Sequence, residues 1–532
     1  MSVRQESIPQ AADAWAPLRH AAFRGLWIAI TISNVGTWMH DMAAAWLMTT
    51  LTQSSLLIAL VQTAAFLPFF LLALPAGTLA DIVDRRVYLM VAAAWMIAAA
   101  LALGAFTFAG LMTPGLLLLL IFLLGSAGAM MRPAMAAIVP DLVPRAELRQ
   151  AITLNTMSLN LSRAVGPILA GLVIISAGPG AVFLLNAAGL AVLLVAIHRL
   201  PRDTTRRHGS LPVERFIEGF RAGIRFTRHA PALQAVLLKG AVFFFFAGAV
   251  WALLPVIAVR VLEGGPAVYG LLVALMGSGA VIAAQFMARI NARYSRNAVI
   301  TGAGVVYAVA MFLVADTRHI AVMGAALLVS GAAWLAYFAS ISAAGQMAVP
   351  DWVRARGLSM VMLVIMGSAA AGAPLWGRLV DVAGLSQALM LAGAGLGLSM
   401  FVVARFRLEE NDHVDLTPSL HWPTPEYADG INPDRGPVMV TVEYVINKEN
   451  EPEFLSLARE LQRLRRRDGA FFWEMFRRAT ADDHFVEMFM VDSWLEHLRQ
   501  HQRVTVADKL LQDRIGALHA AKAPPEIHHY IA

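Results

Sequence analysis

The chain has no cysteine among its 532 residues, which excludes disulfides and thiolate metal sites. Charge is scarce as well: Asp, Glu, Lys and Arg make up 15% of the residues, too few to clothe a soluble globule of this length. No Gly-x-x-x-x-Gly-Lys-Ser/Thr stretch occurs, so direct use of ATP is disfavoured. Residues 1–21 carry Arg, Glu, Gln and Asp without an apolar core, so no cleavable signal is expected and the first apolar span must direct insertion. What the chain has in quantity is apolar sequence, 58% of all residues. That composition predicts a polytopic membrane protein. The net charge of +6 sits largely in arginines of short loops, so it does not point to nucleic acid.

The apolar pattern predicts twelve spans, at about 22–49, 55–77, 86–110, 113–139, 152–177, 181–200, 232–260, 266–288, 297–316, 319–345, 357–380 and 384–405. Alternate loops carry Arg85, Arg86, Arg145, Arg149, Arg289, Arg293, Arg296, Arg354 and Arg356, and the connection 201–231 adds seven more arginines. The opposite loops hold little beyond Arg260, Arg318 and Arg378. Positive charge is retained on the inner side, so both termini are expected in the cytoplasm.

The halves repeat. Pro140-Asp141-Leu142-Val143 returns 210 residues later as Pro350-Asp351-Trp352-Val353, and Gly166-Pro-Ile-Leu-Ala-Gly171 has a counterpart in Gly372-Ala-Pro-Leu-Trp-Gly377. The expected organisation is a tail (1–21), a six-helix bundle (22–200), a connection (201–231), a second bundle (232–405), a Pro-rich linker (406–436) and a soluble domain (437–532). In the connection, Val213, Phe216, Ile217, Phe220, Ile224 and Phe226 recur at helical spacing among arginines, which predicts an amphipathic helix on the inner membrane surface. The last domain alternates in the order βαββαβ, that of a ferredoxin-like sandwich, with its second helix over Leu495–Leu518.

Between the second and third spans lies Gly77-Thr-Leu-Ala-Asp81-Ile-Val-Asp84-Arg85-Arg86. This stretch resembles the signature loop of the major facilitator superfamily. The resemblance implies a conformational lock in which Asp81 meets the N-terminus of the eleventh span near Arg356 and Gly357, with Asp84, Arg85 and Arg86 completing a charge cluster. The second copy has Met287, Asn291 and Arg296 at the matching positions, so the lock is expected on one side only. Phe23-Arg24-Gly25-Leu26-Trp27, Leu51-Thr52-Gln53-Ser54 and Leu74-Pro75-Ala76-Gly77 resemble the exporter branch that contains the enterobactin exporter, macrolide-efflux proteins and transmembrane secretion effectors. Ser493-Trp494-Leu-Glu496-His497 with His528-His529-Tyr530 resembles the dimeric α/β-barrel domains related to antibiotic-biosynthesis monooxygenases. That second resemblance leaves dimerisation through the domain open, and it leaves a cofactor-free oxidising enzyme as an alternative.

Charges within spans are functional candidates. Asp41, beside His40, is the one carboxylate well inside the first six spans and is expected to couple to protons or recognise cations, unless it sits at the cavity mouth. Arg132 and Arg163 are expected to face the cavity or a partner, Arg132 having snorkelling to the interface as its alternative. Asn34, Gln62, Asn155, Asn160 and Asn186, with Trp251, Trp334 and Tyr337, are candidate cavity lining, against helix packing as the plainer role. Gly166-Pro167 with Gly171 resembles the Gly-Pro motif of antiporters and suits a hinge. The expectation is a multi-pass transporter of the bacterial inner membrane that exports a small organic molecule by alternating access. Its drive is the proton gradient, with no metal and no cofactor. A membrane sensor that signals through the soluble domain is the other rival.

Overall fold

A computed structural model describes residues 15–138, 142–200, 216–406, 408, 415–422 and 434–532. The tail up to residue 14, the stretch 201–215 of the connection and most of the linker lie outside these. So do the side chains of residues 73–82, and with them Gly77 and Asp81.

The helices follow the apolar runs. They are α1 (Ala21–Leu51), α2 (Ser55–Ile82), α3 (Arg85–Phe108), α4 (Pro114–Ile138), α5 (Leu148–His198), α6 (Phe216–His229), α7 (Pro231–Arg260), α8 (Pro266–Arg293), α9 (Arg296–Asp316), α10 (Ile320–Met347), α11 (Arg354–Ala383) and α12 (Leu385–Val403). Ten helices among the described residues are long and apolar enough to cross a membrane. α1 is not one of them, because Asn34, His40 and Asp41 dilute its apolar run. α5 counts once although it holds 51 residues, at ~1.5 Å per residue far longer than one crossing. Its single non-helical residue is Gly178 (φ 80°), a conformation that favours glycine, followed at once by Pro179. Residues on both sides of it pack on α1: Ser158 bonds Thr31 at 2.8 Å, while Phe183 stacks against His40 at 5.1 Å. The chain therefore folds back at Gly178. The outward faces are apolar, as with Leu398 and Phe401 on α12, each 70% exposed, and such faces suit lipid.

Two close seams run through this body, and they are built from the repeated glycine motifs. A Cβ on Gly166 would come within 3.2 Å of the Val35 carbonyl on α1, and Gly171 lies equally close to the Pro266 carbonyl on α8. In the second copy, Gly372 faces the Phe245 carbonyl of α7 and Gly377 the Ser55 carbonyl of α2, at 2.6 and 2.7 Å from an added Cβ. Each copy thus lies between a helix of its own half and one of the other: α5 between α1 and α8, α11 between α7 and α2. Small residues let backbones approach where lipid supplies no hydrophobic drive between helices.

The C-terminal residues form β1 (Val438–Val445), α13 (Glu451–Asp468), β2 (Phe472–Arg477), β3 (His484–Val491), α14 (Trp494–Arg503), α15 (Val506–Ala517) and β4 (Glu526–Ile531). The sheet order is β2-β3-β1-β4 and every neighbour is antiparallel. Val438, Val440, Val442 and Tyr444 alternate into a core with Phe454, Leu457, Leu461, Trp473 and Phe489. Glu487 is fully buried and accepts from Arg465 Nε at 2.8 Å and Trp473 Nε1 at 2.9 Å, so its charge is both paired and hydrogen-bonded. The expected single helix over Leu495–Leu518 is broken at Val504. Thr505 starts a new helix through a capping box with Asp508, each side chain taking the other's backbone N–H. Part of the linker also docks here: Ser419 N–H donates to the Val504 carbonyl at 2.9 Å and Trp422 Nε1 to Gln512 at 2.9 Å.

Packing divides the chain into two units. One comprises residues 1–208, 239–340 and 363–405, and the other 209–238, 341–362 and 406–532. The connection helix and the adjoining ends of α7, α10 and α11 therefore belong with the C-terminal domain.

Candidate functional site

Within the first unit, Asp41 on α1 interacts electrostatically with Arg132 on α4 and with Tyr269 on α8. Asp41 and Arg132 both keep accessible surface. The Arg132 guanidinium sits over the Phe69 ring at 4.5 Å, which supports a cation away from lipid. Tyr269 in turn stacks on Trp46 with ring centroids 6.3 Å apart.

Arg163 lies over Trp38 at 5.2 Å, and its backbone approaches Gly277 of α8, so it stands on the seam between the halves. Its Nε is buried without a hydrogen-bond partner among the described residues. Trp38, Trp251 and Trp334 continue the same aromatic wall, with centroids 6.3 and 5.9 Å apart. Gln62 Oε1, Asn155 Oδ1 and Trp251 Nε1 are likewise buried and unpartnered, whereas Asn160 is half-buried. Asn34 donates to Ser158 at 3.4 Å between α1 and α5.

Three expected site residues turn out to be packing residues. His40 is 1% exposed and lies against Phe183 on the face of α1 turned to α5, because one residue along a helix rotates the side chain about 100° from Asp41. Asn186 is buried beside Gly36 on the same face. Tyr337 is fully buried, stacked on Phe243 at 3.7 Å, and its hydroxyl donates to the Lys239 carbonyl at 2.8 Å. It belongs to an aromatic core with Phe244, Tyr307 and Trp334 that fills the space between α7, α9 and α10. Lys239 itself is fully buried and donates to Asn297 Oδ1 at 2.8 Å.

At the signature loop, Asp84 caps α3 by accepting the Val87 N–H at 3.0 Å, and Arg86 donates to the His198 carbonyl at the end of α5. The first is local to α3, and the second joins α3 to the end of α5. The expected contact of Asp81 lies outside the described side chains. In the second unit, Gly357 is pressed against Val349 where α10 turns into α11, and Arg356 lies beside Gly223 of α6.

The opposite end of the first unit holds a cluster that sequence reasoning missed. Asp381, at the end of α11, accepts from the Ser54 hydroxyl (3.0 Å) and from the backbone N–H groups of Ser55 (2.8 Å) and Leu56 (3.2 Å). A carboxylate thus caps the N-terminus of α2, where unpaired N–H groups and the helix dipole favour negative charge. Arg260, from the end of α7, donates to Ser55 Oγ at 3.0 Å and to the Gln53 carbonyl. Below this, Ala59, Ala252 and Ala373 close together and Thr63 Oγ1 donates to the Ala370 carbonyl at 2.8 Å. Serines immediately before an apolar run are a cap signal that could have flagged the site. The partner carboxylate, far off in sequence, was not visible.

In the C-terminal domain His497, His501 and His529 cluster with ring centroids 4.8 Å apart beside Trp494 and Trp422. Burial, then the neighbouring imidazoles, hold His497 down to about 3 and His501 to about 4. Among the described residues no three of His, Asp or Glu are placed to hold a metal. His528 lies on the other, exposed side of β4.

One family, described as transmembrane secretion effector, matches residues 12–532. Over 265 residues the chain is 23% identical to the staphyloferrin A transporter of Staphylococcus aureus, covering 48% of this chain and 64% of that one. Over 276 residues it is 29% identical to the enterobactin exporter of Salmonella choleraesuis, covering 50% and 63%. The chain thus spans slightly less than two thirds of the length of these curated relatives. Among solved structures, a bacterial homologue of the human lysosomal transporter Spinster, inward-facing and unoccupied, matches 73% of this chain and 95% of its own. The TM-score is 0.55 at 17% identity, a likeness of fold alone.

Proposed function

The chain belongs to the transmembrane secretion effector family, and on that premise we propose a proton-coupled exporter of small organic molecules that works by alternating access. The observation that carries this reading is the electrostatic coupling of Asp41 on α1 to Arg132 on α4 and Tyr269 on α8. A carboxylate beside an arginine can exchange a proton for a cationic or polar substrate as water access alternates. Twelve crossings follow when α1 and the two arms of α5 are counted with the other nine apolar helices. The arginine-rich loops support an orientation with both termini and the C-terminal domain in the cytoplasm of a bacterial inner membrane. On that orientation Asp381, Arg260 and the α2–α11 seam close the outer end. The cavity then opens inward, and the signature loop with Asp81, Arg356 and Gly357 locks the reverse state. The Gly166-Pro167-Gly171 seam on α8 is where the halves rock.

The C-terminal domain, with its β2-β3-β1-β4 order, is of ferredoxin-like type. Its outer sheet face carries Phe472, Phe476 and Tyr530, between 37% and 51% exposed, a surface suited to a second copy. Matched relatives are named for staphyloferrin A, macrolide and enterobactin, so siderophores and drugs are the proposed substrate classes, and the neighbouring rings of Trp38, Trp251 and Trp334 suit such compounds. The deciding experiment is uptake of ethidium and of an iron-free catecholate siderophore into everted vesicles under an imposed proton gradient. Gradient-dependent uptake that Asp41→Asn abolishes is the expected result. Undiminished uptake by Asp41→Asn removes the coupling role.

A further inference from the structure

The C-terminal domain grips the transporter chain itself. The grip has an ionic part. Arg225 on α6 donates to Glu496 Oε1 on α14 at 2.8 Å, and the same carboxylate takes Arg503 at 2.6 Å and faces Arg499 at 3.7 Å. It also has an aromatic part. Phe226, only 2% exposed, meets the edge of Trp352 at 5.8 Å, in the short turn that leads into α11. Two arginines of the domain close over these rings: Arg503 over Trp352 at 4.6 Å and Arg467 over Phe226 at 5.9 Å. Arg467 is itself fixed by Asp468 at 2.7 Å and Asp508 at 2.5 Å, so it reaches the ring from a rigid base. Of the apolar residues expected on the connection helix, Phe216, Ile217 and Phe220 lie outside the described side chains and Ile224 is exposed. Phe226 is covered by protein rather than offered to lipid, because the arginines around it find a carboxylate and aromatic faces instead of headgroups.

We propose that the C-terminal domain is an intramolecular clamp that holds the transporter in the state closed at its Asp381 end. What is gripped is not a loose loop. α6 leads within one residue into α7, and the Trp352 turn leads directly into α11, which runs unbroken from Arg354 to Ala383 and carries Asp381 at its far end. α7 ends at Arg260, the second member of the same outer cluster. Both helices that bear the Asp381-end contacts therefore start at the clamp. Releasing it frees their inner ends to swing, and each helix is continuous to its other end, with Pro255 and Pro374 as the points where it can bend. The clamp is electrostatic and partly buried, the kind of contact that a ligand or a change in the domain's charge can undo. This rests on the orientation and the alternating access proposed above.

The absence of cysteine makes the test direct. In the full chain in intact cells, Ala252→Cys places one thiol in the closed seam beside Ala59 and Ala373, where a membrane-impermeant maleimide reaches it only when the outer end opens. Arg225→Glu should raise the labelling rate about tenfold, and adding Glu496→Arg to it should restore the slow rate, as for a two-state equilibrium biased by one charge pair. Asp381→Asn is the control for opening itself. Faster labelling with Asp381→Asn but not with Arg225→Glu overturns the clamp and leaves alternating access standing. No change with either overturns both. As a second measurement, Trp352→Cys with Arg503→Cys should be joined by a short bis-maleimide, and joining should slow labelling of Ala252→Cys below the parent rate. Failure to join, or joining without effect on labelling, overturns the clamp whatever the charge variants do.

Discussion

At the residue scale the chain separates polar groups that face water from those that are sealed in. Asp41 and His40 are neighbours in sequence, yet one keeps accessible surface and the other lies buried against Phe183. His497 is the clearest sealed case outside the membrane. Its environment, Trp494, His501, His529, Gln500 and Arg465, offers it no counter-charge, and it is held down to about 3 from 6.5. The unfolded chain therefore takes up this proton first as the pH falls. The stability that His497 contributes is complete above about pH 6.5 and is lost below it, by about 1.4 kcal/mol per pH unit, until the pH approaches 3. Thermal unfolding of the detergent-solubilised chain, followed by tryptophan fluorescence from pH 7.5 to 5, should show the domain transition falling. His497→Gln should flatten that dependence.

At the scale of elements, the two glycine motifs decide how near the helices come. An added Cβ at Gly377 meets the Ser55 carbonyl at 2.7 Å, and backbone cannot yield as a side chain can. Gly377→Val should force α2 from α11, lower the melting temperature of the solubilised protein by several degrees and abolish gradient-driven ethidium uptake. Gly115→Ala, at a helix start with nothing within 4 Å of the added atom, should leave both unchanged. Gly171 is the matching position on α5, where an added Cβ meets the Pro266 carbonyl at 3.2 Å, and Gly171→Val should behave like Gly377→Val.

At the scale of the whole molecule, the domain has two surfaces with different work. Its α13 and α14 side holds the connection helix and the turn before α11, and its outer sheet face is left open. Met439 pairs across the sheet with Met490 and Tyr530, and Phe472 with Met490, so that face is apolar along a continuous strip. If copies associate, it is through this strip. Phe472→Glu combined with Tyr530→Glu should convert a dimer to a monomer by light scattering of the solubilised full chain, with the fold retained. A monomer before mutation would remove the proposal.

The sequence by itself determined the membrane class, the helix positions and the repeat, because apolar run length and loop arginines answer to the bilayer and to insertion rather than to any particular partner. It also located Asp41 and Arg132, since a charge inside a span stands out against apolar neighbours. Only the tertiary structure decided that these two interact electrostatically and that Asp381 caps a helix more than three hundred residues earlier in the chain. The same holds for Tyr337, sealed in an aromatic core, and for the soluble domain, which holds the connection helix. Each is a choice of helix face or of a distant partner. A periodicity read along one helix gives the face without saying what lies opposite, and that is settled only when the helices pack.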